Sequence, residues 1–208
     1  MIFSRILFLT AILHTFSCSP PDLNDPATLN EAKKKAIPLS ALTKEFKYGM
    51  VWLFVEENNE TFSGWVKETH PNQNLKKLGY LKNGQRQGHW IEWYENGLKK
   101  SNIMWNLDRL SGEYLIWYQN KKPHVIGQTL DGEMDGEWKE YYSNGQLQAH
   151  SFTDLGKCVS KRIWKINGEI CPESHVENGR GQFMEYKENG DSRYCGYSSA
   201  DLWDTYRF

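Results

Sequence analysis

Little in this chain points to chemistry. Lysine and arginine (25) almost balance aspartate and glutamate (26), leaving a net charge of −1. That balance argues against a nucleic-acid-binding protein, which carries a basic face. Cysteines number only four, Cys18, Cys158, Cys171 and Cys195, with no C-x-x-C pair and no H-x-x-x-H pair to ligate a metal. Nothing in the motif content calls for a cofactor. Long hydrophobic runs are missing too. The apolar stretch Ile6–Leu13 has eight residues, whereas a permanent membrane-spanning helix needs about 20.

Aromatic residues are abundant: nine Trp, eleven Tyr and nine Phe in a chain of mean hydropathy −0.70. They fall in a repeat. Gly88 opens GHWIEWYENG, Gly112 opens GEYLIWYQNK and Gly136 opens GEWKEYYSNG, and the spacings are 112 − 88 = 24 and 136 − 112 = 24. Gly64 lies one period earlier, and Gly181 opens a later copy, GQFMEYKENG. A second series, Gly84, Gly132 and Gly156 with Asp108 in the remaining slot, keeps the same period. A fixed period of this size encodes an array of small supersecondary units.

Each unit reads as two strands. Runs rich in Trp, Tyr and Ile favour strands. Asn96-Gly97, Asn144-Gly145 and Asn189-Gly190 follow such runs and predict two-residue type I′ hairpins. The return turns read 84–88, 108–112 and 132–136, each ending at the next leading glycine, so Gly64, Gly88, Gly112, Gly136 and Gly181 are expected to be turn residues. Pro123 predicts a broken or bulged strand. The fold class is all-β, an open antiparallel meander of successive hairpins.

Alternation sorts the rings by face. Trp90, Tyr114 and Trp138 form one row, with Tyr94, Tyr118 and Tyr142 beside it. Trp93, Trp117 and Tyr141 form a row on the opposite face, the expected interaction face. Acids are scattered along solvent-facing columns rather than clustered, so no catalytic residue is assigned and an enzyme is not expected. The histidines fall in unrelated slots, with His89 read as surface. Asp131 to Gly136 mimics the start of a calcium loop, but Tyr142 stands where the twelfth-position Glu is required. The terminal Tyr206-Arg207-Phe208 reads as part of a capping strand.

The segments GYLKNGQRQGHWIEWYENGLKK (79–100) and GEMDGEWKEYYSNGQLQ (132–148) resemble the bacterial variant of the MORN repeat, the YwqK-type family. The resemblance covers roughly residues 48–190. It implies an open sheet of hairpins and brings no catalytic residue. The family's common label implies a cytoplasmic antitoxin-like inhibitor.

The N-terminus contradicts that label. Met1 to Arg5 is a short basic head, Ile6–Leu13 is apolar, and Ser17 precedes Cys18, a plan that resembles a lipoprotein signal peptide. The expected layout is a signal peptide over 1–17, a lipid-anchored tether over 18–47 with a helix near 26–36, and the hairpin domain over 48–208. Ser19 favours the outer membrane by analogy. Three cysteines then remain in an oxidising compartment, and the 24-residue spacing favours Cys171 with Cys195 as a disulfide. The expected function is a non-catalytic lipoprotein held to a membrane by its anchor and presenting aromatic rows to a protein or glycan. An envelope-polymer hydrolase is the weakest alternative.

Overall fold

The computed structural model describes residues 21–47, 50–55 and 60–196. Helix α1 spans Pro26–Lys35. The strands follow as β1 (Ile37–Pro38), β2 (Leu42–Lys47), β3 (Met50–Val55), β4 (Gly64–Thr69), β5 (Leu75–Lys82), β6 (Gln85–Trp93), β7 (Lys99–Asn106) and β8 (Arg109–Trp117). They continue with β9 (Pro123–Leu130), β10 (Glu133–Met134), β11 (Gly136–Tyr141), β12 (Leu147–Asp154), β13 (Lys157–Trp164), β14 (Ile170–Glu177), β15 (Arg180–Tyr186) and β16 (Ser192–Gly196). From β4 to β16 every strand pairs antiparallel with its sequence neighbour, β10 and β11 being two halves of one strand beside β9. The all-β open meander read from the repeat is the fold.

The two kinds of turn are exchanged relative to expectation. At the Asn-Gly ends, the Gly97 amide donates to the Tyr94 carbonyl (2.9 Å) and the Tyr94 amide to the Leu98 carbonyl (2.8 Å). Only the glycine has positive φ, so each loop has three residues, a type I turn followed by a left-handed position. The asparagine caps the loop: Asn96, Asn144 and Asn189 each accept from the amide two residues on. The type I′ turns sit at the other ends. Asn83-Gly84, Leu107-Asp108, Asp131-Gly132, Leu155-Gly156 and Asn178-Gly179 all have positive φ at both positions.

The leading glycines are therefore not turn residues. Gly88 and Gly112 lie inside β6 and β8, and Gly136 sits where β10 gives way to β11, all with positive φ. The β5–β6 register jumps from Leu78↔Ile91 to Tyr80↔Gln87, so three residues of β6 face one of β5. The β7–β8 register jumps likewise around Gly112. These are bulges, and the glycine takes the conformation a bulge requires. Gly181 also lies within a strand, in β15, and Gly64 begins β4. Pro123 is the first residue of β9, where proline is tolerated. The register shift beside it recurs in hairpins without proline, at Glu92/Trp93 and Glu140/Tyr141, so it belongs to the three-residue loop.

Residues 21–43 are part of the folded domain rather than a tether. Asp25 caps α1, its carboxylate accepting from the Thr28 amide (2.8 Å) and hydroxyl (2.7 Å), with Pro26 opening the helix. Leu23, Ala32 and Ala36 are buried on one face of the sheet with Leu78, Ile91 and Trp93. The chain then passes the sheet edge as β1, parallel to β4. Beyond it, Leu39 and Leu42 pack on the other face with Val66, Leu81 and Trp90. One segment thus covers both faces of the first strands and pairs with Val66 and Lys67 in the middle of an edge that would otherwise offer unpaired backbone.

Lys121 stands where the Asn-Gly loops have glycine, at φ 68°, as Gln73 does in the β4–β5 loop, also at φ 68°. A left-handed non-glycine residue is destabilising by roughly 1–2 kcal/mol, partly offset by the entropy a glycine loses on folding. Lys121→Gly is expected to stabilise the protein by about 0.5–1 kcal/mol, read as a Tm rise of roughly 1–4 °C by calorimetry. An unchanged or lower Tm would show that the loop is not strained there.

Candidate interaction face

One row of side chains crosses the helix-bearing face from strand to strand. Its registers run Leu78↔Ile91↔Asn102↔Leu115↔Ile126↔Lys139↔His150↔Arg162↔His175. The row changes character as it goes. Leu78 and Ile91 are fully buried beneath α1. Asn102 is next, also buried, and it closes a hydrogen-bonded ring with the N-terminal segment. Its Nδ2 donates to Asn24 Oδ1 (3.0 Å), Asn24 Nδ2 lies 3.4 Å from His89 Nε2, and His89 Nδ1 lies 3.0 Å from Asn102 Oδ1. An imidazole carrying its proton on Nδ1 satisfies all three contacts. His89 is therefore a fastening for the start of α1 rather than a surface residue.

Beyond Asn102 no described residue covers the face. Leu115 is half-buried and Ile126 is 39% exposed. They floor a shallow groove of about 400 Å³ rimmed by Glu113, Gln128, Asp135 and Glu137. A second groove, about 520 Å³, adjoins it at Glu137 and is lined by His150, Phe152, Ser160, Arg162 and Glu177. Phe152 is 49% exposed. Lys139 and His150 each lie 2.9 Å from Glu137, and their hydrogen bonds, Lys139 first, hold that carboxyl below its ordinary range. These pairs are exposed, so they shape the surface more than they stabilise it.

The three rings expected to line this face part company. Trp93 is 9% exposed and packs with Leu23, Leu29 and Ala32, so it is core and unavailable to a partner. Trp117 and Tyr141 share its face by alternation and are half-buried, outside the cover of α1. The equivalence read from the repeat holds; what covers each copy differs.

The opposite face is packed on itself by its rings, apart from a groove of about 320 Å³ lined by Arg86, Trp90, Glu92, Ile103 and Trp105. Tyr114 and Trp138 rings lie 5.2 Å apart. Arg86 stacks over Trp105 at 3.4 Å while its Nε donates to Asp108 (2.6 Å). Glu92 lies 2.8 Å from Lys77 and 3.5 Å from Lys100. Burial acts to raise its carboxyl, and the two ammonium groups more than offset that, leaving it lowered. Gly79 and Gly127 admit the indoles above them: an added Cβ would come within 2.1 Å of Trp90 and 2.3 Å of Trp138.

The Asn-Gly ends are tied together by phenols. Tyr94 Oη donates to the Trp117 carbonyl (2.7 Å), Tyr118 Oη to that of Tyr141 (2.7 Å), and Tyr142 Oη to that of Trp164 (2.8 Å). His70, one period before Tyr94, takes the same role on the Trp93 carbonyl (2.9 Å). His70 is thus not in an unrelated slot: it stands one period before Tyr94 (94 − 70 = 24). Among the described residues no group of three or more His, Cys, Asp or Glu is placed to hold a metal, and no helix is long and apolar enough to cross a membrane.

The cysteines do not meet as expected. Cys18 lies outside the described residues, as does the side chain of Cys195. Cys171 is a buried free thiol with its Sγ 3.3 Å from Tyr186 Oη. Strand β15 separates its strand, β14, from β16. Two strand spacings amount to about 10 Å, beyond the Cα reach of a disulfide. The periodicity that suggested Cys171 with Cys195 separates them instead.

No protein-family model matches this chain, and no curated protein matches it.

Burial, with the Glu188, Tyr186 and Glu140 charges behind it, pushes the Tyr142 phenol up to about 12, and burial likewise raises Tyr118 and Tyr94. A raised phenol keeps its proton in the folded state while the unfolded chain releases it near 10, so stability is complete below that pH and falls as pH rises towards 12. Tyr118→Phe removes one donor and strands the Tyr141 carbonyl. The expected loss is about 1–2 kcal/mol at pH 7 in urea denaturation, with a shallower decline above pH 10. Equal stability of both proteins across that range would show that the phenol bond contributes nothing.

Proposed function

We propose that this chain is a cell-envelope lipoprotein that presents the open half of its helix-bearing face to a protein or glycan partner and catalyses no reaction. The observation that carries the reading is the exposure of Ile126 and Phe152 on a regular sheet, beside half-buried Trp117 and Tyr141. Apolar area left in water forgoes roughly 25 cal/mol per Å², and contiguous exposed patches mark interaction sites. The rings and aliphatic side chains provide rigid contact area, and the neighbouring Glu137, His150, Arg162 and Glu177 provide a polar rim.

The basic head, the apolar run Ile6–Leu13 and the Ser17-Cys18 step support export with acylation at Cys18. The outer membrane is the favoured destination, on Ser19. Packing begins at Leu23, and five residues (23 − 18 = 5) reach at most about 18 Å. A lipid at Cys18 would thus hold the sheet close to the bilayer instead of on a long leash.

The mass of the mature N-terminal peptide from native membranes tests the anchor. Diacylglyceryl-modified Cys18 is expected; an intact Met1 found only in the soluble cytosolic fraction would overturn it. Crosslinking of intact envelopes tests the surface. The wild-type chain is expected to give a discrete adduct that the double variant Ile126→Asp/Phe152→Asp loses while keeping its circular dichroism. An adduct that survives the double variant would move the surface elsewhere, and no adduct at all would contradict a binding role.

A further inference from the structure

The row that begins under α1 repeats its apolar step. Leu78 and Ile91 are cross-strand partners, with Trp93 two residues along the strand from Ile91. Leu115 and Ile126 are cross-strand partners as well, with Trp117 two residues along from Leu115. In repeat numbering Leu115 and Trp117 are Ile91 and Trp93 one period on (115 − 91 = 24, 117 − 93 = 24), and Ile126 is Leu78 two periods on (126 − 78 = 48), the slot between them being Asn102; the columns recur while Leu115 takes its apolar partner on the opposite side. The first trio is covered by Leu23, Leu29, Ala32 and Ala36 of the chain's own N-terminal segment. No described residue covers the second. The two are joined at Asn102, where Asn24 is bonded, so the open patch continues the existing helix-to-sheet interface.

Resting on the interaction-surface reading above, we propose that the Leu115–Ile126–Trp117 patch is a second helix-docking site, occupied by an amphipathic helix of a partner protein that resembles α1. Three features define the occupant. The first is length. From Leu115 on β8 through Ile126 and Lys139 to His150 on β12, two residues from Phe152, the row crosses three strand spacings, about 14 Å, and a ten-residue helix rises about 15 Å. Helix α1 has 10 residues. The second is an apolar stripe of small and aliphatic side chains. Ala32 and Ala36 let the α1 backbone lie close to Ile91 and Leu78, and an Ala/Leu stripe at i, i+3 and i+7 would do the same over Leu115 and Ile126. The third is charge. Glu113, Asp135 and Glu137 rim the groove against Lys139, a negative balance that favours a basic flank. Helix α1 itself carries Lys33, Lys34 and Lys35 in its last turn. Sheet grooves that bind helices read them through such spaced apolar anchors.

The probe is a hydrocarbon-stapled peptide of residues 22–36 of this chain, added to the intact protein and followed by methyl and amide NMR. The patch is expected to respond at Leu115 and Ile126, and Ile126→Glu is expected to weaken binding roughly tenfold or more, as losing one buried anchor does. Ile126 is exposed, so the variant is expected to keep its fold, checked by an unchanged amide spectrum away from the patch. Shifts confined to Leu78, Ile91 and Trp93 would mean that the peptide only displaces α1, and would overturn the proposal. Concentration-dependent dimers abolished by Ile126→Glu, without peptide binding, would assign the patch to a second copy and also overturn it. Absence of binding has the same consequence. If the envelope adduct survives in Ile126→Glu while the peptide fails to bind, the helix site falls and the binding role stands. If the peptide binds at Ile126 but no adduct forms in envelopes, the site stands and the envelope role falls.

Discussion

Everything in this fold depends on a hydrogen bond that repeats every 24 residues. At the type I′ turns, the amides of Gly84, Asp108, Gly132 and Gly156 donate to the carbonyls of Phe62, Arg86, Leu110 and Met134, at 2.7–3.1 Å. Each donor belongs to one turn and each acceptor to the turn before it or its flank. At the other ends the phenols of Tyr94, Tyr118 and Tyr142 reach forward to the next hairpin. Both stitches join nearest neighbours only. Stability is then close to a sum over units and their interfaces, and the sheet can extend without a deep core. The chain pays for width with rings: Trp over glycine on one face, aliphatic pairs on the other.

An open array has two ends and two faces to manage. The first end is handled by residues 21–43, with α1 on one face, Leu39 and Leu42 on the other, and β1 across the edge. Most of the opposite face is packed by its own side chains, aromatic around Trp138 and largely aliphatic around Val176. What is left is the helix-bearing face from Leu115 onward, where apolar side chains of the same repeat columns face outward. The proposed binding role rests on that asymmetry: equivalent columns are core where α1 lies and surface where it does not.

Much of this was legible in the residues, and the failures have particular causes. The period and the facing of Trp90, Tyr114 and Trp138 were readable because the bulges at Gly88 and Gly112 insert two residues, an even number, so alternation survives them. The turn types were misread because Asn-Gly serves either a type I′ turn or the last two places of a three-residue loop. The true type I′ pair Leu107-Asp108 contains no glycine to announce it. The docking of residues 21–43 was missed because the helix buries alanines, whose apolar signal is weak, and a short segment with three lysines reads as solvated. Trp93 was read as exposed for the same reason: its cover, Leu23 to Ala32, comes from 61 to 70 residues away in sequence (93 − 32 = 61, 93 − 23 = 70). The His70 bond was hidden by the degeneracy of its block, and the Cys171–Cys195 preference failed because equal spacing in a meander places residues two strands apart.

The stitch itself is the claim to test most directly. Native-state hydrogen exchange on the intact protein reads the amides of Gly84, Asp108, Gly132 and Gly156 one by one. These lie in tight surface turns, where amides ordinarily exchange with little protection. If the array is held by neighbour-to-neighbour bonds, all four will exchange as slowly as amides in the middle of β6 and β8. Fast exchange at all four, with the strand amides still protected, would show that the turns are not stitched and that the sheet is held by strand pairing and ring packing alone.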